Sequence, residues 1–211
     1  MLKLLGRSTS INVRKVLWLC AELGLKPEQE DWGTPERPTR DASFLALNPN
    51  ALVPVIVDGG FVLWESNTIC RYLAAREGRH DLLPAAPQER ARVEQWMDWG
   101  ATEFNNAWRY AFMGLVRQSP QHQDPALLAA GVAGWNRHVL MVEQQLQRTG
   151  AYMAGDTFTL ADIVIGLSVQ RWWLAPVERL APRPGVPAVG AYREKLMERA
   201  GFRAFGANGL P

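Results

Sequence analysis

The chain has 211 residues, enough for one large domain or two small ones with a sizeable core. Apolar residues make up 47% and charged residues 21%, which excludes disordered, collagen-like and coiled-coil chains. Lys and Arg number 23 against 21 Asp and Glu, a net charge of +2 with no run of like charge, so no nucleic-acid partner is expected.

Met1 to Gly6 lacks the long apolar stretch and small-residue cleavage site of a signal peptide. Leu2 to Leu5 reads as a short strand ending at Gly6. Polar residues Arg7 to Ser10 follow, and then Val13, Val16, Leu17, Leu19, Cys20 and Leu23 recur at helical spacing, with Gly24 as a stop. Glu28 to Trp32 is a second strand candidate, though of poor strand composition. Asp41 to Leu47 fits a short helix before the turn signal Asn48-Pro49-Asn50. Val53 to Val57, Asp58-Gly59-Gly60 and Phe61 to Trp64 spell strand, tight turn, strand. A helix from near Ser66 to Gly78 closes a β-α-β-α-β-β-α unit.

Gly78 to Pro87 reads as a linker. Beyond it the strand signals stop, and helical patterns cover roughly Gln88 to Val116, Pro125 to Arg148, Leu160 to Trp173 and Ala188 to Arg199. Six of the nine tryptophans lie in this half. The division is therefore an α/β domain over 1–77, a linker over 78–87 and an all-helical domain over 88–205, with Ala204 to Pro211 as a loose tail. No apolar run approaches the roughly 20 residues of a membrane span, so no membrane association is expected. Two cysteines, Cys20 and Cys70, outside any C-x-x-C pair, suit a reducing cytoplasm and read as small core residues.

Four places hold residues able to carry chemistry. Ser8, Thr9, Ser10 and Asn12 crowd the corner where the first strand gives way to a helix N-terminus, which offers free N–H groups and partial positive charge. One of them is needed as the N-cap. Pro54 removes a ladder donor and marks an edge beside Val53, able to pair its backbone with an extended peptide. Glu65 and Ser66 open another helix, with Ser66 as its N-cap and as a group able to meet a carboxylate. Thr159-Leu-Ala-Asp162 has the spacing of a capping box, and Phe158 and Ile163 fit its hydrophobic staple, so a buried helix starts there. Phe104, Trp108 and Phe112 lie four apart on one helix face. His80, His122 and His138 are scattered, with no metal-ligand spacing, so no metal is expected.

In this order these features resemble the cytosolic glutathione S-transferase family, over nearly the whole chain. The carriers are Ser10-Ile-Asn-Val-Arg-Lys-Val-Leu-Trp18 with Glu22-Leu-Gly-Leu25, Leu47-Asn-Pro-Asn-Ala-Leu-Val-Pro54-Val-Ile, Leu63-Trp-Glu-Ser-Asn-Thr-Ile69 with Arg71-Tyr-Leu73, and Phe158-Thr-Leu-Ala-Asp162. A serine rather than a tyrosine in the first turn is similar to bacterial, theta-like members. The resemblance implies a thioredoxin-like domain followed by a helical domain, a homodimer, and glutathione as co-substrate for attack on an apolar electrophile.

It also implies roles. Ser10, assisted by Asn12, would meet the glutathione sulfur, with Ser8 and Thr9 as rivals. Val53, before a cis Pro54, would pair with the cysteinyl unit. Glu65 and Ser66 would hold the γ-glutamyl end, reached also by Asp98 of the partner subunit. Phe104, Trp108 and Phe112 would line the electrophile pocket. Leu52 stands at a glutathione-contacting position where many members place Lys or Gln near the glycine carboxylate, a role left to Arg37 or Arg40. The alternatives within this reading are a glutathione-dependent disulfide or peroxide reductase and a non-catalytic ligand- or protein-binding module.

Overall fold

In the computed structural model, which describes residues 1–209, the chain divides into two units. The first comprises Met1–Pro84 and Arg199–Gly209, the second Ala85–Glu198.

The first unit holds a four-stranded sheet of β1 (Leu2–Leu5), β2 (Glu28–Glu30), β3 (Val55–Asp58) and β4 (Phe61–Trp64), in spatial order β2-β1-β3-β4. β1 runs parallel to β2 and antiparallel to β3, and β3 pairs antiparallel with β4. β2 is only Glu-Gln-Glu, a poor strand by composition. Pairing with β1 imposes the extended form, and Lys3 on β1 faces Glu28 and Glu30 at 3.6 and 3.3 Å. The first hairpin strand begins at Val55, two residues later than its apolar run predicts, because Pro54 has no N–H to give to the ladder. The Val53-Pro54 peptide bond is cis.

Three helices complete this unit: α1 (Ile11–Leu23), α2 (Ala42–Leu45) and α3 (Ser66–Arg76). Gly24 ends α1 in the left-handed conformation, and its N–H and that of Leu25 bond back to the carbonyls of Ala21 and Cys20. Gly6 sits between β1 and α1 with φ of 150°, and a Cβ there would lie 2.5 Å from Val13 Cγ2 and 3.0 Å from Val53 Cβ. Only glycine lets the chain leave the sheet at that point, so the 7–10 turn is pressed between the start of α1 and the Val53 segment.

The second unit contains α4 (Pro87–Trp99), α5 (Asn105–Leu115), α6 (Pro125–Thr149), α7 (Leu160–Leu174) and α8 (Pro187–Met197). The single helix expected over 88–116 is interrupted by a π-helical turn at Gly100–Phe104. Gly100 faces α7 so closely that a Cβ would meet Val164 Cγ1 at 2.8 Å. α7 is buried from Leu160 to Trp172, the signature of a helix surrounded by others.

The Thr159–Asp162 capping box forms at its start, with Thr159 N–H and Oγ1 donating to Asp162 Oδ2 at 2.8 and 3.1 Å. The other carboxylate oxygen accepts from Met153 N–H at 2.8 Å and the Tyr192 hydroxyl at 3.0 Å. Glu143 on α6 does similar service for α8, its two oxygens accepting from Ala188 and Val189 N–H at 3.1 and 2.8 Å.

The C-terminal segment departs from expectation. Residues 199–205, assigned from sequence to the helical domain, group with the first unit, and Phe202–Gly206 forms a π-helical turn rather than a loose tail. The driving contact is apolar: Phe202 packs on Trp18 with ring centroids 4.9 Å apart. Leu210 and Pro211 of that expected tail lie outside the described residues.

Candidate active site

The first corner is built by Gly6 and α1. Ser10 takes the N-cap position with φ of −81° and ψ of 127°, and its hydroxyl makes no capping hydrogen bond. The first turn of α1 carries no acidic residue, so the positive end of the helix is not offset from within. Ser8 and Thr9 are exposed in the preceding turn, and Asn12 is exposed on the first turn of the helix.

The second corner is the start of α3. Its N-cap is Glu65, not Ser66 as the sequence predicts. Ser66 is the first helical residue instead. Glu65 has φ of 72°, a left-handed conformation that a side-chain-bearing residue adopts only when its surroundings impose it. Its side chain is exposed and makes no capping bond, and the first turn of α3 also lacks an acid. Ser66 is buried, and its hydroxyl donates to Asn12 Oδ1 at 3.4 Å. That bond joins the two helix N-termini. Behind it Lys15, buried on α1, donates to Asn67 Oδ1 at 3.4 Å.

The third piece is the segment before β3. The Asn48 amide donates to the Leu52 carbonyl at 2.8 Å, and Val53 packs on the cluster of Leu5, Phe44 and Val55. The Leu52 side chain is 64% exposed and offers no polar atom. Arg37 pairs with Glu30 at 3.4 Å, while Arg40 is exposed.

The remaining candidates lie in the second unit. Asp98 is exposed on α4. Phe104 is fully buried, its ring 5.0 Å from Trp99 and 6.0 Å from His138, and so belongs to the helical core. Trp108 and Phe112, at 5% and 4% exposure, pack edge to face 5.5 Å apart. The guanidinium of Arg171 from α7 covers both rings, at 4.5 and 4.1 Å from their centroids. Sequence reasoning missed Arg171 and Arg14. A lone basic residue in an apolar helical pattern carries no signal of where its head group goes.

Cys20 and Cys70 are buried, and burial pushes both thiols up to about 12. Neither is a nucleophile near neutral pH. Among the described residues no group of three or more His, Cys, Asp or Glu is placed to hold a metal, and no helix is long and apolar enough to cross a membrane.

A small α/β unit with a cis-proline before its antiparallel strands, followed by a helical unit, defines a protein of thioredoxin-like and all-helical halves. Residues 9–76 match the glutathione S-transferase N-terminal domain family and residues 105–200 the glutathione S-transferase C-terminal domain family. The chain is 38% identical over 201 residues to glutathione S-transferase GstB of Escherichia coli, covering 87% of this chain and 96% of that one. It is 35% identical over 210 residues to glutathione S-transferase 3 of Zea mays, covering 96% and 91%. Its fold superposes on the theta class glutathione S-transferase of Xanthomonas axonopodis pv. citri, solved with glutathione bound, with a TM-score of 0.89 at 33% identity over 100% and 99% of the two chains. The chain belongs to the glutathione S-transferase family.

Proposed function

We propose that the protein binds glutathione along the edge formed by Val53, Glu65 and Ser66, keeps its sulfur as thiolate beside Ser10, and directs it at an apolar electrophile. The sulfur lone pair forms the new carbon–sulfur bond. The leaving group departs with its bonding pair or, in an addition, the neighbouring carbon that receives the π electron pair takes a proton from water. The observation that carries this reading is Ser10 itself, a helix N-cap by backbone geometry whose hydroxyl is not spent on capping.

The magnitudes suffice. A free thiol titrates near pH 8.5, so about a few per cent is ionised at pH 7. Lowering that value by about two requires roughly 2.7 kcal/mol in favour of the anion. A hydrogen bond to a charged group supplies about 1.5–3 kcal/mol. A helix N-terminus adds about 0.3–1 kcal/mol. No general base is needed.

In this reading Asn12 assists Ser10. The Val53 backbone pairs with the cysteinyl unit beside Pro54. The strained Glu65 backbone and the Ser66 hydroxyl take the γ-glutamyl end, with Asp98 of the partner subunit in a homodimer completing it. Leu52 offers only apolar contact, so the glycine carboxylate falls to Arg40, Arg37 being paired with Glu30. Trp108 and Phe112, almost wholly buried under Arg171, and the fully buried Phe104 back the electrophile pocket from the helical core rather than presenting open surface to it. The small number of cysteines, both buried and outside any C-x-x-C pair, supports action in a reducing cytoplasm.

Ultraviolet thiolate absorbance of the glutathione complex tests this. The intact protein should show thiolate at pH 7, to which its own buried thiols do not contribute. Ser10→Ala should raise the bound thiol's pKa by about one to two pH units, on the order of 1.5–3 kcal/mol, with little loss of glutathione affinity. Absence of thiolate at pH 7 in the intact protein would sink the enzymatic reading.

A further inference from the structure

Arg14 lies one turn beyond Ser10 on α1 and is 4% exposed. Its Nε donates to the Ser8 carbonyl at 2.9 Å and its Nη1 to the Gly209 carbonyl at 2.7 Å. Ser8 belongs to the turn that delivers Ser10. Within that turn the Ser10 N–H donates to the Arg7 carbonyl at 3.1 Å, and the Arg14 N–H donates to the Ser10 carbonyl at 2.9 Å. The sheet side of the turn is fixed by Gly6 N–H to the Glu30 carbonyl at 2.8 Å and Arg7 N–H to the Trp32 carbonyl at 3.0 Å. Its other side is held by the Arg14 fork, which grips the C-terminal segment in the same grasp.

That segment has its own anchor on α1. Arg199 donates to the two Glu22 carboxylate oxygens at 3.0 and 2.6 Å, and Glu22 also accepts from Trp18 Nε1 at 2.8 Å. Gly201 permits the close approach, since a Cβ there would lie 2.5 Å from Trp18 Cδ1. Residues 199–209 therefore run along α1 from Glu22, in its last turn, to Arg14, in its first.

We propose that Arg14 is a positioning residue for the thiolate site, and that the C-terminal segment is a strap whose Gly209 carbonyl orients Arg14 and so tunes the acidity of the bound thiol. This deepens the reading of Ser10 and rests on it. A planar guanidinium is oriented by two acceptors in a way that a single acceptor does not achieve. Deprived of the Gly209 carbonyl, the fork turns, Ser8 is released, and the Ser10 hydroxyl loses its aim. A hydrogen bond to sulfur weakens steeply with such misalignment.

The test compares the intact protein, Arg14→Lys and a chain ending at Gly206, by titrating the thiolate absorbance of bound glutathione and by steady-state kinetics. Both variants should raise the bound thiol's pKa by about one pH unit, a tenfold change in its ionisation equilibrium. Below that midpoint kcat should fall by up to about tenfold, while KM for glutathione stays within about twofold. Lysine keeps the charge but not the fork, so an unshifted titration in Arg14→Lys overturns the positioning role. An unshifted titration in the shortened chain overturns the strap, even if its melting temperature falls. Should the intact protein itself hold no thiolate at pH 7, the Ser10 reading fails first and takes this inference with it, an outcome distinct from the other two.

Discussion

Ser66, the first residue of α3, donates its hydroxyl hydrogen across 3.4 Å to Asn12 Oδ1 on the first turn of α1, spanning 54 positions of sequence. The bond sets two helix N-termini side by side, each without an acidic residue in its first turn. In the proposed binding mode one end takes the sulfur and the other the γ-glutamyl carboxylate of a single bound tripeptide, since both ends favour negative charge. In the glutathione complex the Ser66 hydroxyl hydrogen turns from Asn12 to the carboxylate, so Ser66→Ala should weaken glutathione binding by about tenfold or more, the loss of a hydrogen bond to a charged group. A double-mutant cycle with Asn12→Ala, read by isothermal titration, should give a coupling of about 0.5–1 kcal/mol. Strict additivity would show that the two side chains act separately.

Gly6→Ala tests the packing that places the 7–10 turn. The new Cβ would collide with Val13 and Val53, and alanine disfavours the φ of 150° found there. We expect a loss of about 3 kcal/mol in urea unfolding, from overpacking and backbone strain together. A change below 1 kcal/mol would mean that the turn relaxes freely.

Asp162 should make stability depend on pH. Burial, the largest influence, raises its carboxyl from 3.8 to about 6, against the opposing pull of its N–H and hydroxyl donors. The folded protein thus holds the proton over a range where the unfolded chain has released it. Stability should be highest below pH 4, fall by about 3 kcal/mol between pH 4 and pH 6, and stay level above pH 6 as far as this group is concerned. In Asp162→Asn that slope should vanish. A slope identical in both proteins would assign it to other groups.

Asp162→Ala should cost about 3 kcal/mol or more. It removes the cap at the start of α7, at about 0.5–2 kcal/mol, and leaves buried N–H groups unmet at about 1–3 kcal/mol each. Thiolate absorbance of the glutathione complex should be unchanged under conditions where the variant is folded. A shift in that titration would tie this cap to the sulfur chemistry.

Glu143→Ala should lower the thermal midpoint by removing the acceptor for the first N–H groups of α8, a loss of about 2 kcal/mol. Glu143→Gln should recover part of it, since one oxygen remains as an acceptor. Equal midpoints for all three proteins would show that water replaces the carboxylate at no cost.

Much of this molecule is legible in its local sequence. The strand at Leu2–Leu5, the Asp58-Gly59-Gly60 hairpin, the Gly24 stop and the Thr159–Asp162 box each follow from interactions within a few residues of one another, so their patterns survive without knowledge of the fold. The order of Ser10, Val53-Pro54 and Glu65-Ser66 was equally readable, because each sits at a junction between elements that composition marks. Tertiary structure alone decided the rest. β2 is a strand only because β1 lies beside it, and Glu65 takes the N-cap position of α3 with a positive φ that no local sequence pattern marks. The π turn at Gly100–Phe104 and the return of residues 199–209 onto α1 depend on contacts with distant chain. The fork of Arg14 spans 195 positions to Gly209, and no periodicity or spacing records a side chain's reach across that separation.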